Sequence, residues 1–170
     1  IPLLLEAYYR FKRSTNSTTK LVISGKQGWK CRRIMKGIKK HPFADDIIVT
    51  GYVLKDELPQ LYSHSTCFVY PSIYEGFGLP VLEAMSCGAP VVISNSSSLP
   101  EVGGEAALLF NPFDPGELAS HLAELDDNPS LCEELRIKSL RQAEKFSWEQ
   151  FSDEMLDILE RYVKPKGKGS

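Results

Sequence analysis

The sequence has few of the residues that hold metal ions or form disulfide frameworks. Its 170 residues include only four cysteines and three histidines, and no two cysteines form a C-x-x-C pair. Zinc sites and disulfide scaffolds need closer or more regular spacing. We therefore expect reduced, partly buried thiols and no metal centre. The thiols in question are Cys31, Cys67, Cys87 and Cys132.

Long apolar runs and an excess of one charge are also missing. Lys and Arg number 20 against 22 Asp and Glu, which gives a formal net charge of -2. This balance does not favour a polyanion-binding surface, so nucleic acid is not expected as a partner. No apolar run approaches the roughly 18 to 20 residues that a membrane span needs, and no signal-peptide pattern opens the sequence. The expectation is a cytoplasmic protein.

What the sequence does contain is a regular alternation of short apolar runs with helical patterns. Strands are predicted at 21–23, 47–49, 67–70, 91–93 and 107–110, and helices at 3–11, 29–40, 56–64, 81–85, 115–125, 130–145 and 148–162. Such alternation is typical of an α/β fold, a Rossmann-like doubly wound parallel sheet with helices on both faces. We expect one domain over residues 1–163, followed by a basic tail at 164–170.

The stretch from residue 71 to residue 101 carries the clearest functional pattern. Gly76 and Gly78 follow a predicted strand and stand directly before a predicted helix. Glycines allow the backbone to approach a ligand, and the free N–H groups of a first helical turn attract a phosphate. Glu75 and Glu83 flank this turn, and their carboxylates can accept hydrogen bonds from vicinal hydroxyls. The pattern predicts a phosphate cradle with a sugar on one side and a ribose on the other.

Plainer roles remain open for the same residues. Glu83 alone would also suit a solvated position on a helix, and Glu75 would also compensate the positive end of a helix dipole. A Rossmann oxidoreductase is rejected, because no G-x-G-x-x-G follows an early strand. A non-catalytic nucleotide-binding or interaction module of the same fold stays as the alternative.

The segment EGFGLPVLEAMSCGAPVV, in which Glu75 and Glu83 form an E-x7-E pair, resembles the signature of a known family. The family is that of the GT-B, family-4-type retaining glycosyltransferases, the glycosyl transferases group 1. The resemblance covers roughly residues 3–160, with further blocks at 51–53, 57–59, 61–62, 68–72, 99–102 and 110–112. It implies the carboxy-terminal, nucleotide-sugar-binding domain of a hexosyltransferase, with GDP-mannose as the first and UDP-glucose as the second candidate donor.

The resemblance also implies roles for individual residues. Glu75 is the catalytic candidate and would bind hydroxyls of the donor sugar, whereas Glu83 would take the ribose hydroxyls. No cofactor and no divalent metal are implied, because the helix dipole and basic side chains would balance the pyrophosphate. The remaining donor-binding candidates are Lys26, Tyr52, Val53, Gly76, Phe77, Gly78 and Leu79.

One part of the family pattern is not found in this sequence. The family's domain opens with a strand and a glycine-rich turn that carries an Arg and a Lys, and in the strand order 3-2-1-4-5-6 that strand is central. We therefore expect the strands at 21–23 and 67–70 to face a gap and not to pair with each other. By the resemblance, an amino-terminal domain binds the acceptor and provides any peripheral membrane association. The 170 residues alone are expected to transfer no sugar.

Overall fold

The computed structural model describes residues 1–26, 28 and 31–162, and its elements follow the predicted order. The five strands are β1 (Leu21–Ser24), β2 (Ile47–Gly51), β3 (Phe68–Tyr70), β4 (Val91–Ser94) and β5 (Ala107–Phe110). The first four helices are α1 (Pro2–Thr15), α2 (Cys31–Lys39), α3 (Leu58–His64) and α4 (Leu79–Ser86). The others are α5 (Leu99–Gly103), α6 (Pro115–Asp127), α7 (Pro129–Ala143) and α8 (Trp148–Tyr162). The predicted basic tail lies outside the described residues, so the domain boundary stays a prediction.

All strand pairs are parallel, which confirms the predicted fold class, and they form two groups. β1 pairs with β2, and β4 lies between β3 and β5. Within the part of the chain that the structure describes, β1 and β3 do not pair with each other, as expected from the family's strand order. Each of these two strands therefore has one edge without a strand partner there, and such edges readily accept an extended segment.

The strand β4 is the middle strand of the three-stranded group. All four of its residues are fully buried, as expected for a strand that is covered on both faces. One apolar cluster packs α1 and α6 on one side and includes residues of both strand groups, Ile47 of β2 and Val92 of β4. A second cluster packs α4 and α5 against β4 on the other side. The loops that follow β3 and β4 are consequently attached to strands that pack tightly into the core.

The first helix is longer than its sequence pattern predicts. Polar residues from Lys12 onward were expected to end it, but α1 continues to Thr15 and stops at Asn16, which has a left-handed φ of 55°. Lys12 is buried, and its Nζ lies 2.8 Å from a carboxylate oxygen of Asp46 and donates to the backbone oxygen of Ser17. A lysine stem can cover apolar surface while its ammonium finds oxygen partners. This tertiary pairing explains why the helix does not end at Lys12.

Smaller differences affect two other segments. The short helix α5 was not predicted, and α3 begins two residues later than its pattern suggested. Trp148, at the start of α8, is 74% exposed and does not belong to the core.

Candidate active site

The loop of residues 71–78, here called the donor loop, connects β3 to α4. It ends at the N-terminus of α4, which no side chain caps. Gly78 is the N-cap residue of α4, with a left-handed φ of 102°, and no side chain caps the helix. Pro80 occupies the first turn, where a missing N–H costs nothing. Among the described residues, no protein group accepts a hydrogen bond from the N–H of Gly76, Phe77, Gly78 or Leu79. Four consecutive amides thus lack a protein acceptor there, and all of these residues except the buried Gly78 are exposed. A helix N-terminus with free amides favours an anionic ligand.

Glu75 is held beside these amides by two hydroxyl groups. The Tyr70 hydroxyl and the Ser72 hydroxyl each donate to the same carboxylate oxygen, Oε1, at 2.8 Å. Burial, together with the hydrogen bond to Glu75, raises the pKa of Tyr70 to about 12. Tyr70 therefore remains protonated, and a donor, throughout the neutral range. With Oε1 occupied twice, Oε2 is the oxygen that can accept a hydrogen bond from a sugar hydroxyl.

Glu83 has a tyrosine partner of its own. The Tyr62 hydroxyl donates to Oε2 of Glu83 at 3.4 Å. Burial and the neighbouring carboxylate raise the pKa of Tyr62 to about 12. The Tyr62 ring packs edge-on against Phe68 at 5.2 Å between centroids, and Phe68 stacks with Tyr70 at 5.9 Å. A continuous row of aromatic rings therefore links the surroundings of the two glutamates on one side of β3.

A second group of predicted site residues follows β1 and β2. The Lys26 Nζ lies 4.9 Å from the centroid of the Tyr52 ring, and the Gly25 amide donates to the Gly51 carbonyl at 2.8 Å. The Tyr52 ring is 61% exposed, and the next residue, Val53, is half-buried. An exposed ring of this kind offers a flat surface on which a base can stack. Within the described residues, no hydrogen bond or ion pair joins this pair to Glu75 or Glu83, and all the binding roles stay predictions.

The loop of residues 94–98, here called the serine loop, follows β4 and lies within the functional stretch predicted at 71–101, although the sequence assigns no role to its individual residues. Its hydroxyls donate to backbone carbonyls of the donor loop, and both Ser97 and Ser98 reach the Glu75 carbonyl, at 2.6 and 3.1 Å. Ser98 also reaches the Phe77 carbonyl at 3.1 Å. Four serines among the five residues 94–98 were visible in the sequence. The acceptors of their hydroxyls were not, because they lie more than twenty residues away along the chain.

The described residues show neither a cluster of metal-ligating side chains nor a membrane-spanning helix. In residues 1–26, 28 and 31–162, no group of three or more His, Cys, Asp or Glu side chains is arranged to hold a metal ion. No helix in this part of the chain is long and apolar enough to cross a membrane. The expectation that the site uses neither a metal nor a cofactor stays a prediction.

Comparison with known proteins places this geometry in a family. The sequence model for "Glycosyl transferases group 1" matches residues 1–142. The chain is 40% identical over 154 residues to the O-antigen chain mannosyltransferase B of Escherichia coli, which covers 91% of the chain and 40% of that protein. It is 38% identical over 123 residues to the MMP alpha-(1->4)-mannosyltransferase of Mycolicibacterium hassiacum, which covers 69% of the chain and 30% of that protein.

Solved structures show the same fold. A sucrose-phosphate synthase from Thermosynechococcus elongatus superimposes with a TM-score of 0.80 at 25% identity, covering 94% of this chain and 42% of its own. Anabaena HepE in complex with UDP gives a TM-score of 0.81 at 17% identity, covering 94% of this chain and 44% of its own. The chain thus spans less than half the length of each protein compared here. Since the family's model matches most of the sequence and the mannosyltransferases align over most of it, the chain belongs to the group 1 glycosyltransferases, which have the GT-B fold.

Proposed function

We propose that the chain is the nucleotide-sugar-binding domain of a retaining mannosyltransferase, and that GDP-mannose is its donor. The observation that carries this proposal is the row of four free amides from Gly76 to Leu79, placed beside the fixed carboxylate of Glu75. Amides bind phosphate oxygens, and a carboxylate binds sugar hydroxyls, so the two together suit a diphosphate joined to a hexose. Both relatives named above are called mannosyltransferases, which favours mannose over glucose.

In this proposal the chemistry depends on stabilising a departing diphosphate. The glycosidic bond of the donor breaks through an oxocarbenium-like transition state, and negative charge grows on the leaving phosphate. Amide dipoles that already point at that charge lower its energy without having to reorganise. Glu75 orients the sugar through Oε2, since Tyr70 and Ser72 occupy Oε1. We assign Glu75 an orienting and electrostatic role and not that of a nucleophile.

The nucleoside part of the donor is assigned to Glu83 and Tyr52. Glu83 accepts hydrogen bonds from the ribose hydroxyls, and Tyr62 holds its carboxylate from the other side. The exposed ring of Tyr52 stacks on the base, and Lys26 adds a positive charge beside it. UDP-glucose is the second candidate donor, and the neighbour solved with UDP is consistent with it.

Calorimetric titration tests the donor assignment. GDP, UDP, ADP and their sugar conjugates are titrated against the intact protein and against Glu83→Gln, with the exposed Glu133→Gln of α7 as the matched control. We expect GDP-mannose to bind best. Loss of a charge-assisted hydrogen bond to ribose should weaken every nucleotide by about tenfold or more in Glu83→Gln. Equal affinities of Glu83→Gln and Glu133→Gln would contradict the ribose assignment.

A second experiment separates an enzyme from a non-catalytic module of the same fold. Incubation of the intact protein with labelled GDP-mannose and a lipid-linked or free saccharide acceptor should yield a mannosylated product with retained anomeric configuration. The 170 residues alone should bind the nucleotide weakly and yield none. Tight donor binding by the intact protein, without transfer to any acceptor, would favour the non-catalytic module.

A further inference from the structure

The serine loop holds the donor loop from one side through its backbone carbonyls. Ser94 and Ser96 donate to the carbonyls of Ser72 and Ile73. Ser97 donates to the carbonyl of Glu75. The Ser98 hydroxyl lies 3.1 Å from the carbonyls of both Glu75 and Phe77, and its single proton is shared between them. The N–H of Glu75 in turn donates to the hydroxyl oxygen of Ser97 over a longer distance of 3.4 Å. The two peptide planes that carry the Gly76 and Gly78 amides are therefore each contacted at their carbonyl oxygen.

Because the peptide bond is planar, a hydrogen bond to one carbonyl also fixes the direction of the N–H of the next residue. In a trans peptide the C=O of one residue and the N–H of the next point in opposite directions. With the Glu75 carbonyl turned toward the serine loop, the Gly76 N–H points away from that loop. The Phe77 carbonyl fixes the Gly78 N–H in the same way. Both peptide planes adjoin a glycine, which rotates at little steric cost, so something outside the donor loop has to hold them.

We infer that Ser97 and Ser98 are positioning residues, which aim the Gly76 and Gly78 amides at the donor's diphosphate or sugar. This inference rests on the proposed function for the identity of the ligand. Ser97 itself has a left-handed φ of 56°, a conformation that is unfavourable for a residue with a side chain. The conformation brings its hydroxyl to 2.6 Å from the Glu75 carbonyl. Because the hydroxyls of both serines contact backbone carbonyls of the donor loop, both act through the peptide planes.

A positioning role and a merely structural role predict different results when a serine hydroxyl is removed. The positioning role predicts a larger loss of ligand affinity than of folding stability. Glu75 and Ser98 are half-buried and Ser97 is exposed, so water can replace a missing hydroxyl at the Glu75 carbonyl. Removal of one hydroxyl should then cost little folding stability. It should still free the peptide plane to rotate, and a rotated plane presents a carbonyl in place of an amide. Affinity for an anion should therefore fall much more than stability.

The matched control lies in the same loop. Ser96→Ala removes a hydrogen bond of the same kind, but the amide that follows its acceptor belongs to Tyr74 and not to the proposed site. Ser98→Ala removes the hydroxyl whose single proton is shared between the carbonyls of Glu75 and Phe77. Ser97→Gly removes the other hydroxyl and relieves the left-handed strain, so this variant keeps its stability. Thermal unfolding of each variant confirms that it is folded.

Calorimetric titration of the intact protein with GDP and with UDP gives the first readout. Ser98→Ala should weaken nucleotide affinity by about tenfold or more, because amide contacts to a charged phosphate are among the strong ones. Ser97→Gly with Ser98→Ala should weaken it further, whereas Ser96→Ala should stay within about threefold of the parent protein. Equal affinities for Ser98→Ala and Ser96→Ala would overturn the inference.

Residual dipolar couplings give a second readout that needs no ligand. The N–H couplings of Gly76 and Gly78, measured in the nucleotide-free protein, report the directions of the two amides. They should change in Ser98→Ala and stay constant in Ser96→Ala. Constant couplings in both variants would overturn the positioning role, whether or not a nucleotide binds. Failure of the parent protein to bind GDP or UDP would instead contradict the proposed function, and the couplings would still decide the role of the serines.

Discussion

Replacement of Gly78 by alanine tests how strictly the backbone shapes the start of α4. Gly78 has a φ of +102°, and a Cβ added to it would lie 2.7 Å from Cδ2 of Leu99. Leu99 is fully buried in the cluster around α4 and α5, so its side chain has little room to move. The substitution therefore combines backbone strain with overpacking. Each effect destabilises the folded state by a separate mechanism.

Two other glycines separate these effects. Left-handed backbone costs a residue with a side chain about 1 to 2 kcal/mol, and overpacking of a core costs about 1 to 3 kcal/mol. Gly78→Ala should thus lower the free energy of unfolding by about 2 to 5 kcal/mol. Gly88 has a φ of +71° and no contact closer than 3.6 Å, so Gly88→Ala should show the strain alone. Gly76 has neither a left-handed φ nor an atom within 4 Å of its added Cβ, and Gly76→Ala should leave stability almost unchanged.

Urea unfolding followed by circular dichroism measures the series. The expected order of destabilisation is Gly78→Ala, then Gly88→Ala, then Gly76→Ala. Nucleotide titration should show a different order, because the methyl group of Gly76→Ala stands beside the donor amides and should weaken binding in a fully stable protein. Equal destabilisation by Gly76→Ala and Gly78→Ala would refute the reasoning from φ and packing.

Three further predictions concern single side chains. Arg136→Ala removes guanidinium hydrogen bonds to the carbonyls of Ser63, Ser65 and Gly88. The substitution should lower the free energy of unfolding, measured in urea, by at least about 2 kcal/mol. An unchanged midpoint of urea unfolding would show that these hydrogen bonds do not stabilise the fold. The hydrogen bond from Lys12 lowers the pKa of Asp46 below its ordinary value of 3.8. The pair therefore stabilises the folded state fully above pH 3.8, and this stabilisation is lost as the pH falls through the lowered pKa. Asp46→Asn should therefore be less stable near neutral pH and show a flatter acid dependence of its unfolding temperature; parallel curves would contradict the pairing. Tyr70→Phe removes one donor to Glu75, and it should lower kcat/KM for the donor sugar by about tenfold while GDP affinity stays within about threefold. Equal loss of GDP affinity would place the tyrosine in nucleotide binding instead.

Local sequence patterns predicted the strands because each strand is short, apolar and bounded by residues that stop it. The run at 67–70 ends at Pro71, and the run at 47–49 is followed by Gly51, which has a φ of +72° in the structure. Features decided by distant partners were missed. The end of α1 depends on the contact between Lys12 and Asp46, which are far apart along the chain.

The candidate site shows the same difference between features set by local sequence and features set by distant partners. Its two glutamates and its glycines could be predicted, because a strand, a glycine-rich turn and a proline-led helix form a local pattern. The residues that orient the glutamates could not be predicted. Tyr62 and Tyr70 were placed in a helix and a strand by the sequence, but nothing local indicates that their hydroxyls meet Glu83 and Glu75. The acceptors of the serine loop depend likewise on how β3 and β4 align.

The central claim is that the donor's diphosphate sugar lies on the amides of the donor loop. A crystal structure of the intact protein with GDP-mannose tests it most directly. We predict donor oxygens at about 2.7 to 3.2 Å from N–H groups between Gly76 and Leu79, a mannose hydroxyl on Oε2 of Glu75, and the ribose on Glu83. A nucleotide bound elsewhere, with the four amides facing only water, would contradict the account.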